Sequence, residues 1–227
     1  DHWVSLSVRD PQNLGDYIGE EEGWQKAEEL LQQVSDDLKL DAKRMEGEAA
    51  LYGPKLDFMF KDALGNELQL ATIQIDFAMP ARFGLTYADK DGEEKTPVMI
   101  HRAILGSYER FIAVLIEHFA GNFPTWLAPE QVRLATVNDS EKLVDYANQI
   151  RKQLKNDGFR VHLDSSAESV GKKIREASVS KVPYTFVIGD KEVESGKLSP
   201  RVRADLGDST DSFDLTDLIN KLQQEVG

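Results

Sequence analysis

The chain has 227 residues, enough for one large or two ordinary domains, with the 41% hydrophobic and 30% charged make-up of a folded globular protein. A net charge of −13 argues against nonspecific nucleic-acid binding through bulk charge, and the lack of cysteine excludes disulfides and thiolate metal sites while being compatible with the cytosol. No apolar run approaches the roughly eighteen residues of a membrane span and no signal-peptide pattern is present, so neither a membrane nor DNA is an expected partner.

In chain order, Trp3 to Val8 alternates as a strand and stops at the Asp10-Pro11 turn signal. Starting on this strand at Asp1, without a methionine, the chain is expected to be a fragment. Between Glu22 and Leu40 the apolar positions Trp24, Ala27, Leu30, Leu31, Val34 and Leu38 share one helical face, and Glu20, Glu21 and Glu22 suit the positive end of that helix's dipole. Tyr52-Gly53-Pro54-Lys55 turns into the strand Leu56 to Phe60. After a reversal near Gly65, Glu67 to Phe77 is a long strand. Strict alternation puts Gln69, Ala71, Ile73 and Ile75 on one face, with Leu68, Leu70, Thr72, Gln74 and Asp76 on the other. Sequential strands joined by short turns indicate an antiparallel sheet. Tyr87 to Lys95 reads as a solvated hairpin tip turning at Asp91-Gly92.

Thr96 to Gly121 is a strand feeding a helix. Val98, Met99 and Ile100 lead to His101, the chain turns at Gly106-Ser107, and Phe111, Val114, Leu115 and Phe119 follow at helical spacing. Ser107 is the expected N-cap and Gly121 the stop. Arg110 falls in the first turn, where a cation is disfavoured by the dipole. Either an anionic or aromatic group compensates it, or it is an ordinary surface arginine.

Phe123 to Pro129 carries two prolines and no helical period, and marks a boundary at residues 127 and 128. Charge divides there too: −11 up to Leu127 and −2 after it, so a local basic face belongs to the second part. The second part reads as strand Val132 to Val137, helix Ser140 to Lys155, strand Phe159 to Leu163, helix Glu168 to Val179 and strand Tyr184 to Ile188. A polar hairpin Asp190 to Lys197, strand Leu198 to Val202 and amphipathic helix Phe213 to Val226 follow. Strands alternating with helices predict a compact α/β domain with a mostly parallel or mixed sheet.

Neither common Gly-rich phosphate loop nor a nucleophile elbow is present. The four histidines, His2, His101, His118 and His162, have no metal-ligand spacing. The specific signal is a combination: a strand with Gln69, Thr72 and Gln74, then a strand-to-helix unit with His101, Gly106 and Arg110, then an α/β domain. With GEAALYGPKLDF, LQLATIQIDFAMPARF, PVMIHRAILGSYERF, FPTWLAP and DKEVESGK, the chain resembles the class II threonyl-tRNA synthetase family over essentially its whole length. Gly106 to Arg110 matches the third class II motif.

The resemblance implies an α+β antiparallel-sheet catalytic core, its C-terminal part at residues 1–127, followed by an α/β anticodon-binding domain at 128–227. It implies a ligase that joins threonine to its tRNA through threonyl-adenylate, using ATP with Mg²⁺, cytoplasmic and homodimeric at full length. Arg110 would stack on adenine. Gln69 and Thr72 would line the adenylate site, with Gly106 leaving room for backbone approach. Tyr52, Lys55 and Gln74 would border the amino-acid pocket, and Arg110 and Gln74 are the expected catalytic residues. His101 matches one of three zinc ligands, the others being a cysteine and a histidine upstream. In the family that Zn²⁺ engages the threonine amino and hydroxyl groups. A hydrophobic pocket separates threonine from valine by only about a hundredfold, whereas a site that engages the hydroxyl reaches roughly 10⁴ to 10⁵. Glu192 and Arg201 match positions that read anticodon bases, and Arg175 and Lys181 fall where basic residues face RNA.

Departures accompany the match. There is no cysteine, one zinc ligand of three does not hold a catalytic zinc, and the first two class II motifs and an editing domain are missing. The fragment alone is expected not to aminoacylate. Ser166-Ala167-Glu168-Ser169 stands where bacterial relatives usually have Arg-Asn-Glu-Lys, removing polar or basic anticodon contacts. A noncatalytic tRNA-binding or regulatory paralogue is the alternative, and another specificity of the subclass, such as proline or histidine, the third reading.

Overall fold

The alternating segment at the start of the chain forms β1 (His2–Val8), and the amphipathic stretch after it forms α1 (Glu21–Asp37). Then follow β2 (Lys43–Glu46), β3 (Lys55–Lys61), β4 (Glu67–Asp76), α2 (Ala78–Arg82), the hairpin β5 (Tyr87–Ala88) and β6 (Glu94–Lys95), β7 (Met99–Ala103) and α3 (Tyr108–Phe119). The computed structural model describes residues 2–207 and 211–226, so residues 1 and 227, the outer limits of the two expected domains, lie outside the described residues. By its internal contacts the chain divides into Asp1–Glu117 and His118–Gly227.

In the first unit one sheet runs in the order β2-β1-β3-β4-β7. Its pairings are antiparallel, as expected, except for β2, which lies parallel to β1. One face is apolar: Val4, Leu6, Val8, Leu56 and Ile75 pack against Ala27 and Leu31 of α1. Each fully buried aliphatic side chain of this kind contributes about 1.5–3 kcal/mol. α1 ends earlier than the periodicity predicts, because Lys39 takes a left-handed conformation (φ 53°) while its N–H and that of Leu40 return to Asp36 and Ser35.

The long strand departs from strict alternation. Pairing runs from Phe58 with Ala71 to Met59 with Gln69, which leaves Leu70 as one extra residue on β4. Past this bulge the faces exchange. Gln69 therefore shares the face of Thr72 and Gln74, correcting the alternation that placed it with Ala71, Ile73 and Ile75.

The second unit contains β8 (Val132–Thr136), α4 (Glu141–Asn156), β9 (Val161–Asp164), α5 (Val170–Val179), β10 (Tyr184–Ile188), α6 (Asp190–Ser195), β11 (Pro200–Val202) and α7 (Leu215–Val226). Its sheet, β11-β10-β8-β9, is parallel but for β11, matching the mixed α/β expectation. Val132, Leu134, Phe186, Ile188, Leu154 and Leu222 lie in its core. The expected hairpin Asp190 to Lys197 is instead α6. Asp190 and Glu192 favour the positive end of a helix, and Glu192 Oε2 accepts the Gly189 N–H at 2.9 Å. Leu198 and Phe213 form an isolated bridge, so the last strand starts at Pro200 and the last helix at Leu215.

Tyr184, 2% exposed, donates its hydroxyl to the Glu225 carboxylate, which also accepts from Thr125 Oγ1 at 3.2 Å. Burial first, then the Glu225 carboxylate, pushes this phenol well above the usual tyrosine range. Its stabilising contribution is thus intact below the unfolded phenol's pKa of about 10 and is lost as pH rises beyond it. Denaturant unfolding of the chain between about pH 8 and 11 should show stability falling at the alkaline end, more steeply than in Tyr184→Phe.

Candidate functional site

The sheet face opposite α1 is polar, and β3, β4 and β7 bring the residues singled out in the sequence onto it. Gly53 sets the turn before β3 against β4: a Cβ there would lie 1.7 Å from the Ile75 carbonyl oxygen. The Ile75 N–H donates to Pro54 O at 3.2 Å. This packing carries Tyr52 over β4, where its hydroxyl donates to Gln74 Oε1 at 2.6 Å. Gln74 pairs in register with His101 on β7 and Lys55 on β3. The Tyr52 and His101 rings are 5.2 Å apart.

His101 Nε2 meets Asp76 Oδ2 at 2.9 Å, and Asp76 is fully buried. The other oxygen of Asp76 accepts the N–H groups of Ala78 and Met79 at 2.9 and 2.8 Å, which starts α2. One carboxylate therefore ends β4, caps a helix and orients the imidazole. Among the described residues no three His, Cys, Asp or Glu side chains converge to hold a metal ion. With one imidazole nitrogen engaged and a single matching donor, this chain's residues do not fit a zinc site by themselves.

Asp57 centres the rest of the face. Its oxygens accept from Gln69 Nε2 at 2.7 Å, Lys55 Nζ at 2.8 Å and Ser7 Oγ at 3.1 Å. Thr72 lies opposite Asp57 in register, and its hydroxyl is buried without a hydrogen-bond partner among the described residues.

Gly106 (φ 65°) crosses the bulge so closely that a Cβ would stand 2.6 Å from Leu70 O. Ser107 caps α3 as expected, its Oγ accepting the Arg110 N–H at 3.3 Å. Glu109, at the helix start, is held below the usual carboxylate range by its own backbone N–H and the Ser107 hydroxyl. The exposed Arg110 guanidinium donates to the Gln69 carbonyl at 3.2 Å. The bulge thus supplies the acceptor that anchors this arginine beside the polar face.

Tyr52, Gln74 and His101 thus form one cluster and Lys55, Gln69 and Arg110 another about Asp57, with Thr72 opposite Asp57 in register on the same face. Sequence reasoning missed Asp57 and Asp76. The i, i+2 spacing of Asp57 from Lys55 on a strand was the available signal for the first. Among the described residues the face offers donors, acceptors and the two cations of Lys55 and Arg110 but no paired nucleophile and base, which suits holding and orienting a ligand with several polar groups.

In the second unit Lys181 and Arg201 line one groove of about 480 Å³ together with Thr185 and Arg203. Arg175 lines a second of about 560 Å³, with Arg133 and Lys172. α5 contributes to both. Arg133 and Arg201 each pair with Thr185, so a row of basic residues crosses one sheet face, with Arg133 tied to Glu130 at 2.6 Å. Arg133 carries no signal in the sequence beyond its charge. Glu192 follows the opposite end of β10, its carboxylate occupied by the Gly189 N–H, and the structure does not group it with the other three. The exposed Ser166 donates its hydroxyl to Asp164 Oδ1 at 2.6 Å. Lys173, fully buried, donates to Thr136 O at 2.8 Å and ties α5 to the end of β8.

The tRNA synthetase class II core domain family (G, H, P, S and T) matches residues 11–119, and the anticodon binding domain family matches 131–225. The chain thus belongs to the class II aminoacyl-tRNA synthetases, as the end of a core and the anticodon-binding domain after it. The threonine–tRNA ligase of Lactobacillus helveticus is 50% identical over 226 residues, spanning 100% of this chain and 35% of the relative. That of Clostridium tetani is 47% identical over 228 residues, spanning 100% and 34%. A crystal structure of the RNA binding domain of threonyl-tRNA synthetase from Cryptosporidium parvum Iowa II aligns with a TM-score of 0.88 at 38% identity, covering 99% of this chain and 55% of that one. Within its class the chain corresponds to the C-terminal part of threonyl-tRNA synthetase and spans about a third of the length of the curated relatives it matches.

Gly53→Ala and Gly106→Ala each force a methyl into a backbone carbonyl. Each should lower the unfolding free energy by about 3 kcal/mol or more in chemical denaturation, while Gly171→Ala, with open space around it, stays within about 1 kcal/mol.

Proposed function

We propose that the whole protein to which this chain corresponds attaches threonine to its tRNA through threonyl-adenylate, and that the polar face of the first unit is half of that active site. The observation that carries the reading is the network in two parts, Tyr52 with Gln74 and His101, and Lys55 with Asp57, Gln69 and Arg110, side by side on one face of the sheet where Lys55 pairs in register with Gln74. Arg110, held by the Gln69 carbonyl at the mouth of the face, stacks on the adenine of ATP, which enters with magnesium. Gln69 and Thr72 line the adenylate, Thr72 lying opposite Asp57 on the same face as Gln69. Gly106 admits the backbone close to β4. Tyr52 and Lys55 border the amino acid with Gln74, whose Nε2 is left as a donor by the Tyr52 hydroxyl. His101, oriented by Asp76, offers one donor toward a zinc ion that needs ligands from outside this chain. Alone, the chain binds and positions without aminoacylating.

Residues 128–227 act as the anticodon-reading domain, with Lys181, Arg201, Arg175 and Glu192 toward RNA. The site reading is supported best for Lys181 and Arg201, which share a groove. Threonine, ATP and threonine tRNA are the partners, and the whole protein works as a cytoplasmic homodimer. No helix among the described residues is long and apolar enough to cross a membrane. The altered loop Ser166 to Ser169, with the Ser166 hydroxyl taken up by Asp164, favours a second reading, a noncatalytic tRNA-binding or regulatory paralogue. An intact polar face weighs against it, because binding RNA requires none of that network.

Threonine-dependent ATP–pyrophosphate exchange by the full-length protein decides between them. Arg110→Ala should lower kcat/KM for ATP by about a hundredfold, and undiminished exchange would remove its assigned role. The chain itself should shift threonine tRNA in a salt-sensitive manner, with Arg201→Ala weakening binding about tenfold. Binding indifferent to salt and to Arg201 would count against both RNA readings.

A further inference from the structure

We propose that Asp57 is a positioning residue that fixes the direction of the Gln69 amide and so decides which group the site presents to the nucleotide. The proposal rests on the adenylate-site reading above and adds to it a residue that neither the sequence nor that reading singled out.

Asp57 is 4% exposed, and a carboxylate only accepts hydrogen bonds. One oxygen faces Gln69 Nε2 at 2.7 Å, so that amide has to turn its NH₂ inward and its Oε1 outward onto the open face. The other oxygen accepts Lys55 Nζ at 2.8 Å and Ser7 Oγ at 3.1 Å, which fills it and stops the carboxylate from rotating away. One buried group thus sets the polarity of an amide on β4 and pins an ammonium on β3. The backbone carbonyl of Gln69 anchors Arg110, so the outward Oε1 lies in the part of the site assigned to the nucleoside. The donors a nucleoside offers to such an acceptor are its ribose hydroxyls.

The test swaps the polarity of the pair in the full-length enzyme, read by threonine-dependent pyrophosphate exchange. In Asp57→Asn the remaining oxygen stays with Lys55 and Ser7 and the new NH₂ faces Gln69, which flips and offers the ribose a donor. KM for ATP should rise about tenfold, with kcat and KM for threonine within about threefold. Gln69→Glu sets two carboxylates against each other and should raise KM for ATP similarly. In the double variant the introduced amide donates to the introduced carboxylate, whose free oxygen is again an outward acceptor, and KM for ATP should return to within about threefold of the parent. Losses that add in the double variant would overturn the proposal, because a merely structural pair gains nothing from reversal. Independently of activity, the Gln69 side-chain amide protons of this chain should exchange at least about tenfold more slowly than those of free glutamine. Exchange at the free rate overturns the proposal even where a variant does not fold. An unaltered enzyme without threonine-dependent exchange sinks the adenylate reading instead, and the amide protons still decide the role of Asp57.

Discussion

A buried carboxylate has to find its donors inside the fold, and in the first unit finding them assembles the site. Asp57 collects a lysine from its own strand, a serine from β1 and a glutamine from β4. Leaving such a charge unpaired costs several kcal/mol, so its donors are held as firmly as core side chains. The same logic recurs at Asp76, fully buried, whose oxygens are divided between a helix start and the His101 ring. Two acidic residues thereby fix the polar side chains around them. The apolar face against α1 keeps the sheet folded while the polar face stays open.

Much of the fold was legible because its signals are local. Alternation located β1 and β3, the 3.6-residue period located α1 and α4, and Ser107 marked the start of α3. What escaped depended on distant pairing or on short elements. β2 is an exposed, charged strand whose reason to be extended is the parallel edge of β1, far from it in sequence. α6 has only six residues, and its acidic start reads equally well as a turn until Glu192 is seen bonding the Gly189 N–H. At the site, residue types suggested chemistry only in combination, and the family resemblance supplied the roles that spacing left open. Alternation contradicted that resemblance at Gln69, and only the pairing with Met59 removes the conflict.

The second unit solves a different problem, keeping a basic surface on a chain whose overall balance is acidic. Its row across β8, β10 and β11 places Arg133 and Arg201 on one sheet face, flanking Thr185 from either side. Beneath the surface Lys173 gives its charge to a strand-end carbonyl rather than to solvent, so this basic residue belongs to the frame and not to the grooves. Counting lysines and arginines therefore overstates what a polyanion can reach.

The extra residue in β4 also bears on how such a site tolerates change in chain length. Point replacements at Leu70 alter a side chain, but removing that residue restores an unbroken two-residue rhythm through the strand. Gln69 would keep its partner Met59 and its place on the face of Thr72, but the Leu70 carbonyl that Gly106 crosses would be gone. In this strand the chemistry is written in the number of residues as well as in their kind.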